Sequence, residues 1–261
     1  MSLVQVRSLS VGYGKTPILQ NVSFALEAGE LVGVLGANGC GKTTLLKAVC
    51  DILPHEGECL LNGKRLEELS PRKIAAVCSY IPQRSGVEID ISVLDVVLMG
   101  FNPHLGLLEY PNARMKEEAR AALATVGLEG REEENYLSLS EGQKQLCILA
   151  RTLVSRGRLL LLDEPESALD FRYRDRMLSL LRSWVEEGDR AALVTLHDPG
   201  LALRYCDRLL LLGSGEISGI ISPLTDALVT MEKALSVIYG DVSLVRCCDR
   251  GGQERLVMLK E

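Results

Sequence analysis

No stretch of this sequence stays apolar for the roughly 18 to 20 residues that a bilayer-spanning helix needs. Runs such as the leucines at 159–162 and 209–212 stop far short of that, so if the protein works at a membrane, another chain spans it. Basic residues are not in excess: 29 Lys and Arg stand against 35 Asp and Glu, a net charge of −6, which argues against non-specific binding to nucleic acid or anionic headgroups. The cysteines at 40, 50, 59, 78, 147, 206, 247 and 248 include no C-x-x-C pair and no His/Cys ligand spacing. Reduced thiols in small apolar sites are therefore expected ahead of a metal centre. The first residues lack a charged leader followed by an apolar core, and the cytoplasm is the expected compartment. Internal repeats and low-complexity linkers are also missing.

What is present suits a globular chain of one large domain or two modest ones: 261 residues, 47% apolar and 25% charged. The segments "LVQVRSLSV", "LQNVSFAL" and "EGECLLNGK", separated by turn residues, predict antiparallel strands near the N-terminus. Next, "ELVGVLG" reads as a buried strand, and "TTLLKAVCDIL" has leucines at helical spacing. From Gln83 to about Leu139 the pattern turns helical, as in "MKEEARAALATVGL", with Pro103 and Pro111 at the entry. Beyond this insertion, "RLLLLDEP" and "RAALVTLHD" are two more core strands flanking the amphipathic "YRDRMLSLLRSWVEEG". Strand and helix alternate as a parallel sheet requires, so the predicted class is α/β.

Between the first buried strand and its helix lies "GANGCGKT", residues 36–43, which fits G-x-x-x-x-G-K-[ST] in the setting that motif needs. Gly36, Gly39 and Gly41 let successive N–H groups converge on phosphate oxygens at a helix N-terminus. Lys42 would reach the β- and γ-phosphates, and the Thr43 hydroxyl would ligate Mg²⁺. Cys40, inside the loop, is either a small residue standing in for serine or a thiol whose pKa the helix N-terminus depresses.

Polar residues at other strand ends add to this. Asp163 and Glu164 end the run "LLLLDEP" at the carboxyl edge of the sheet, Asp163 to hold Mg²⁺ through water and Glu164 to accept a proton from an attacking water. His197, ending "ALVTLHD", could bond the γ-phosphate or that water, and Gln83, ending "SYIPQ", could ligate Mg²⁺ or the water. Tyr13 in "VGYGK" could stack on adenine or pack in its turn. In "LSEGQKQL", Ser140 and Gln143 have capping-box spacing at the head of a helix. With Gly142 leaving its N–H unscreened, this is either an ordinary cap or a second anion site.

Taken in order, "GANGCGKT", "IPQ", "LSEGQ", "LLLLDEP", "SALD" and "TLHD" resemble the ATP-binding cassette (ABC) family over nearly the whole chain. The resemblance implies a phosphate-loop ATPase fold: a mainly parallel core sheet, an N-terminal antiparallel β subdomain and a helical insertion. It implies one ATPase domain over 1–261, with the core at 1–82 and 144–261 and the helical subdomain at 83–143. Nucleotide contacts are implied at Gly36, Ala37, Asn38, Gly39, Cys40, Gly41, Lys42, Thr43 and Thr44, with Tyr13 on adenine. The signature, here with Glu141 in place of a glycine, would offer Ser140, Gly142 and Gln143 to the γ-phosphate held by a partner subunit. Asp170 would serve communication between subunits. The expected assembly is a homodimer closed on two ATP molecules with Mg²⁺.

One cassette without a spanning helix is similar to importer ATPases whose permease subunits are separate integral membrane chains. The stretch "DVVLMGFNPHLG", 95–106, is similar to ATPases of iron-siderophore, haem and cobalamin importers, although Phe101 replaces an arginine common there and "HDPGLA" replaces "HDLNLA". A soluble cassette of the iron–sulfur assembly kind, or a zinc or manganese importer, is the alternative. The importer resemblance places the chain at the cytoplasmic face of the membrane. Permeases would dock around Gln83, a substrate-binding protein would be met only indirectly, and no nucleic acid partner is expected.

Overall fold

Four successive leucines cannot share one face of a strand, because alternate side chains point to opposite sides. The computed structural model describes residues 2–14, 16–83, 87–106, 108–167 and 169–261, and its central sheet is covered on both faces. In chain order the elements begin with β1 (Ser2–Tyr13), β2 (Thr16–Glu27), β3 (Leu31–Leu35), α1 (Lys42–Val49), β4 (Glu56–Leu61) and β5 (Lys64–Arg65). Then come α2 (Pro71–Val77), β6 (Cys78–Ile81), α3 (Val93–Leu98), α4 (Ala113–Val126), α5 (Glu141–Val154) and β7 (Leu159–Asp163). The chain continues with α6 (Phe171–Glu186), β8 (Ala191–Thr195), α7 (Pro199–Tyr205), β9 (Arg208–Gly213) and β10 (Glu216–Ile221). It ends in α8 (Leu228–Tyr239), β11 (Val242–Cys248) and β12 (Glu254–Lys260).

The central sheet has the order β10-β9-β3-β8-β7-β6, parallel except where β10 returns antiparallel along β9. Leu160, Leu162, Ala192, Val194, Leu209 and Leu211 enter one core with the helical elements. Their neighbours Leu159, Leu161, Ala191, Leu193, Leu210 and Leu212 enter a second core. That second core is shared with α1 residues Leu45 and Leu46 and with Leu9, Leu19 and Leu26 of the antiparallel sheet β2-β1-β4-β5. Each leucine run therefore feeds two cores, which is why these strands read as unbroken apolar runs.

Within the expected insertion at 83–143 the chain forms α3 and α4, which pack on each other and on α5. Asn112 caps α4 at its start, and Gly127, in the left-handed region at φ 84°, ends it. The expected subdomain limit at residue 143 falls within the first turn of α5, a continuous helix to Val154. Beyond β10 the chain forms α8 and a separate hairpin, β11 with β12. No described helix is long and apolar enough to cross a membrane.

Candidate active site

β3, β8, β7 and β6 are adjacent and parallel, so their carboxyl ends open on the same edge of the sheet, where α/β folds bind ligands. Asn38, Gly39, Gly41, Lys42, Thr43, Thr44, Gln83, Glu164 and His197, together with Ile18, line one cavity of about 460 Å³ at that edge. Gly36 and Ala37 join it through their carbonyls. Lys42, the first residue of α1 and only 5% exposed, donates to Gly36 O at 2.9 Å and Ala37 O at 3.3 Å. Gly41, just before it, has φ 109° and packs against Leu19, leaving no room for a side chain.

Glu164 is the point of convergence. Its Oε2 accepts from Gln83 Nε2 at 2.8 Å and lies 2.7 Å from His197 Nε2, while Lys42 Nζ stands 3.7 Å from Oε1. Its backbone is left-handed at φ 46°, an uncommon conformation for a non-glycine residue and one that functional sites retain. Asp163, the residue before it, is 3% exposed and takes bonds from Thr195 Oγ1 at 3.0 Å and Tyr80 Oη at 3.3 Å. Burial and the neighbouring Asp163 carboxylate raise the Tyr80 phenol above its ordinary pKa, so it remains a donor. Thr195 also accepts the Glu164 N–H at 2.8 Å, and a single hydroxyl on β8 thus fixes both acids at the end of β7.

The remaining expected residues lie outside this cavity. Tyr13 ends β1 and is 52% exposed. Ser140 caps α5 with the full reciprocal capping box to Gln143, as their spacing predicts, and Gly142 sits in that first turn. Asp170 caps α6 by accepting from Tyr173 N. Cys40 corrects one sequence alternative: burial raises its thiol pKa and outweighs the lowering influence of Lys42, so it is not an activated thiol.

Sequence reasoning missed Ile18, Tyr80, Thr195 and Gln145. Gln145, buried in α5, donates to Gln83 O at 2.6 Å and so ties the signature helix to the glutamine segment. Polar residues inside apolar runs, Thr195 in "ALVTL" and Gln145 in "KQLCIL", were the available signal. Thr43 and Gln83 offer a hydroxyl and a carboxamide oxygen to the cavity beside Glu164, with the Asp163 carboxylate buried next to it, and such hard oxygen ligands suit Mg²⁺.

Known proteins resemble this chain in sequence and fold. The model of the ABC transporter family matches residues 19–167. The hemin import ATP-binding protein HmuV of Pseudomonas fluorescens is 35% identical over 98% of this chain and 99% of its own. A Helicobacter pylori protein assigned as an iron chelatin transport ATP-binding protein is 36% identical over 80% of this chain and 83% of its own. Among solved structures, a proposed metal-chelate type ABC transporter in an inward-facing conformation superposes with a TM-score of 0.83 at 26% identity, covering 100% of this chain and 99% of that one. Family model, relatives and fold agree, and the chain belongs to the ABC transporter family as its ATP-hydrolysing, ATP-binding component.

Proposed function

We propose that this chain pairs with a second copy around two ATP molecules and powers import of an iron-siderophore, haem or cobalamin through permease subunits on separate membrane chains. The observation that carries the ATPase chemistry is the convergence of Lys42, Gln83 and His197 on Glu164 in one cavity. The cargo class rests on the names of the relatives, an iron chelatin transport protein and a hemin import protein. The chain would lie at the cytoplasmic face of the membrane and meet a substrate-binding protein only through the permease.

The N–H groups of 36–43 and the α1 N-terminus cradle the phosphates, with Thr44 in the same turn. Lys42 exchanges the Gly36 and Ala37 carbonyls for the β- and γ-phosphates, which are stronger, charge-assisted acceptors. Thr43, Gln83 and Asp163 are the residues that would hold Mg²⁺, which supplies neutralisation of charge on the transferring phosphoryl group. Glu164 takes the proton of the attacking water, and His197 turns its Nε2 proton from Glu164 to the γ-phosphate. Tyr13 offers an exposed ring to the adenine.

Ser140, Gly142 and Gln143 at the head of α5 would complete the phosphate site of the facing subunit, and Asp170 would contact it. The test is to express tagged Glu164→Gln protein in its own host, solubilise membranes in mild detergent with ATP, and identify what co-purifies. Recovery of a polytopic membrane protein supports the importer. A sample that binds ATP but brings down only soluble proteins would sink it.

A further inference from the structure

Two residues beyond Glu164 lies a second glutamate that the proposed chemistry leaves unused. Glu166 is only 2% exposed, and its Oε1 accepts the backbone N–H of His197 at 2.9 Å. Its Oε2 is buried and meets no donor among the described residues. Burying a carboxyl group with an unmatched oxygen costs stability, and an apolar side chain would avoid that cost while leaving the His197 N–H without its acceptor.

The location gives the carboxyl something to act on. Glu164 O accepts from Ser167 N, which closes a turn over residues 164–167, and Glu166 O accepts from Leu169 N shortly before Asp170 caps α6. Glu166 is the point at which that turn reaches across to the end of β8. On the far side, Leu196 N is held by Val34 O, and Asp198 begins α7 by capping Gly200 and Leu201. His197 therefore stands between two fixed neighbours, with its own main chain held by Glu166.

We propose that Glu166 is a positioning residue for ATP hydrolysis, holding the His197 main chain so that its imidazole is aimed at the reacting phosphate, and linking that aim to the turn at 164–167. The inference rests on the ATPase reading of Glu164 and His197 given above. A displacement of that turn draws on Glu166 and hence on His197. Charged and titratable groups near the carboxyl are His197, Glu164 and Cys206. Burial lifts the Glu166 carboxyl above its ordinary range, which makes glutamine a close substitute for its acceptor oxygen.

The experiment is steady-state ATP hydrolysis by the full chain as wild type, Glu166→Gln and Glu166→Met, with thermal unfolding of each. Methionine fills the volume without an acceptor. The expected result is kcat lower by about ten- to hundredfold in Glu166→Met, with KM for ATP within about twofold, a melting temperature close to wild type because the orphaned His197 N–H offsets the removal of the unmatched carboxyl oxygen, and glutamine restoring most of the rate. A methionine variant with undiminished kcat, a fall in activity and melting temperature together, or a glutamine variant as slow as the methionine one would each overturn the proposal. A wild type without ATP turnover would instead bring down the underlying ATPase assignment.

Discussion

His197 Nε2 and Glu164 Oε2 meet at 2.7 Å across the ends of two neighbouring parallel strands. The contact joins a proton donor to a carboxylate that Gln83 and Lys42 also approach. An anion already sits where three donors converge, so a phosphate entering this cavity must replace Glu164 as their partner.

Replacing Glu164 by glutamine keeps the shape and removes the proton acceptor. Turnover should fall by about 10²- to 10⁴-fold while ATP still binds, so the variant should accumulate as an ATP-bound dimer. Size-exclusion chromatography with and without ATP checks this, and a variant that turns over at the wild-type rate would refute the base assignment.

Lys42→Ala removes the cation whose ammonium group spans Gly36 O, Ala37 O and the approach to Glu164. A charge-assisted bond to phosphate is worth about 1.5 to 3 kcal/mol, so nucleotide affinity should fall by about 10- to 100-fold. Titration with a fluorescent ATP analogue measures it directly. Unchanged affinity would contradict the placement of phosphate at 36–43.

Thr195→Val is nearly isosteric and tests how the two acids are held. It strips one donor from Asp163 and leaves the Glu164 N–H without its acceptor in a buried place. The expected loss is about 1 to 3 kcal/mol of folding stability by urea denaturation, together with slower hydrolysis. Wild-type values for both would show that Thr195 holds neither group.

Alkali should destabilise the fold. Burial moves the thiols of Cys59 and Cys147 from the ordinary 9.0 up to about 12. Between those values the unfolded chain has released protons that the folded chain still binds, so stability is full below pH 9 and falls as pH rises toward 12. Melting temperatures across that window should decline, and the decline should shrink in a Cys59→Ala, Cys147→Ala variant compared with its own neutral-pH value. An equal slope in both proteins would assign the loss to other groups.

Much of this protein was legible without coordinates because its signals are local. The loop at 36–43, the capping box of Ser140 and Gln143, the leucine runs and the strand-helix alternation each depend on residues a few positions apart. Short-range sterics, hydrogen bonding and burial periodicity decide such features. The meeting of Gln83 with Glu164, Thr195 with Asp163 and Glu166 with His197 spans 31 to 81 residues. No periodicity records those pairs. They follow from the sheet order β3-β8-β7-β6, which is set by how two cores pack on opposite faces of the strands. The sequence alone determined that a phosphate-binding strand-loop-helix exists and which residue types surround it. Only the tertiary structure decided which oxygen faces which proton, because those distances are fixed by packing among elements far apart in the chain.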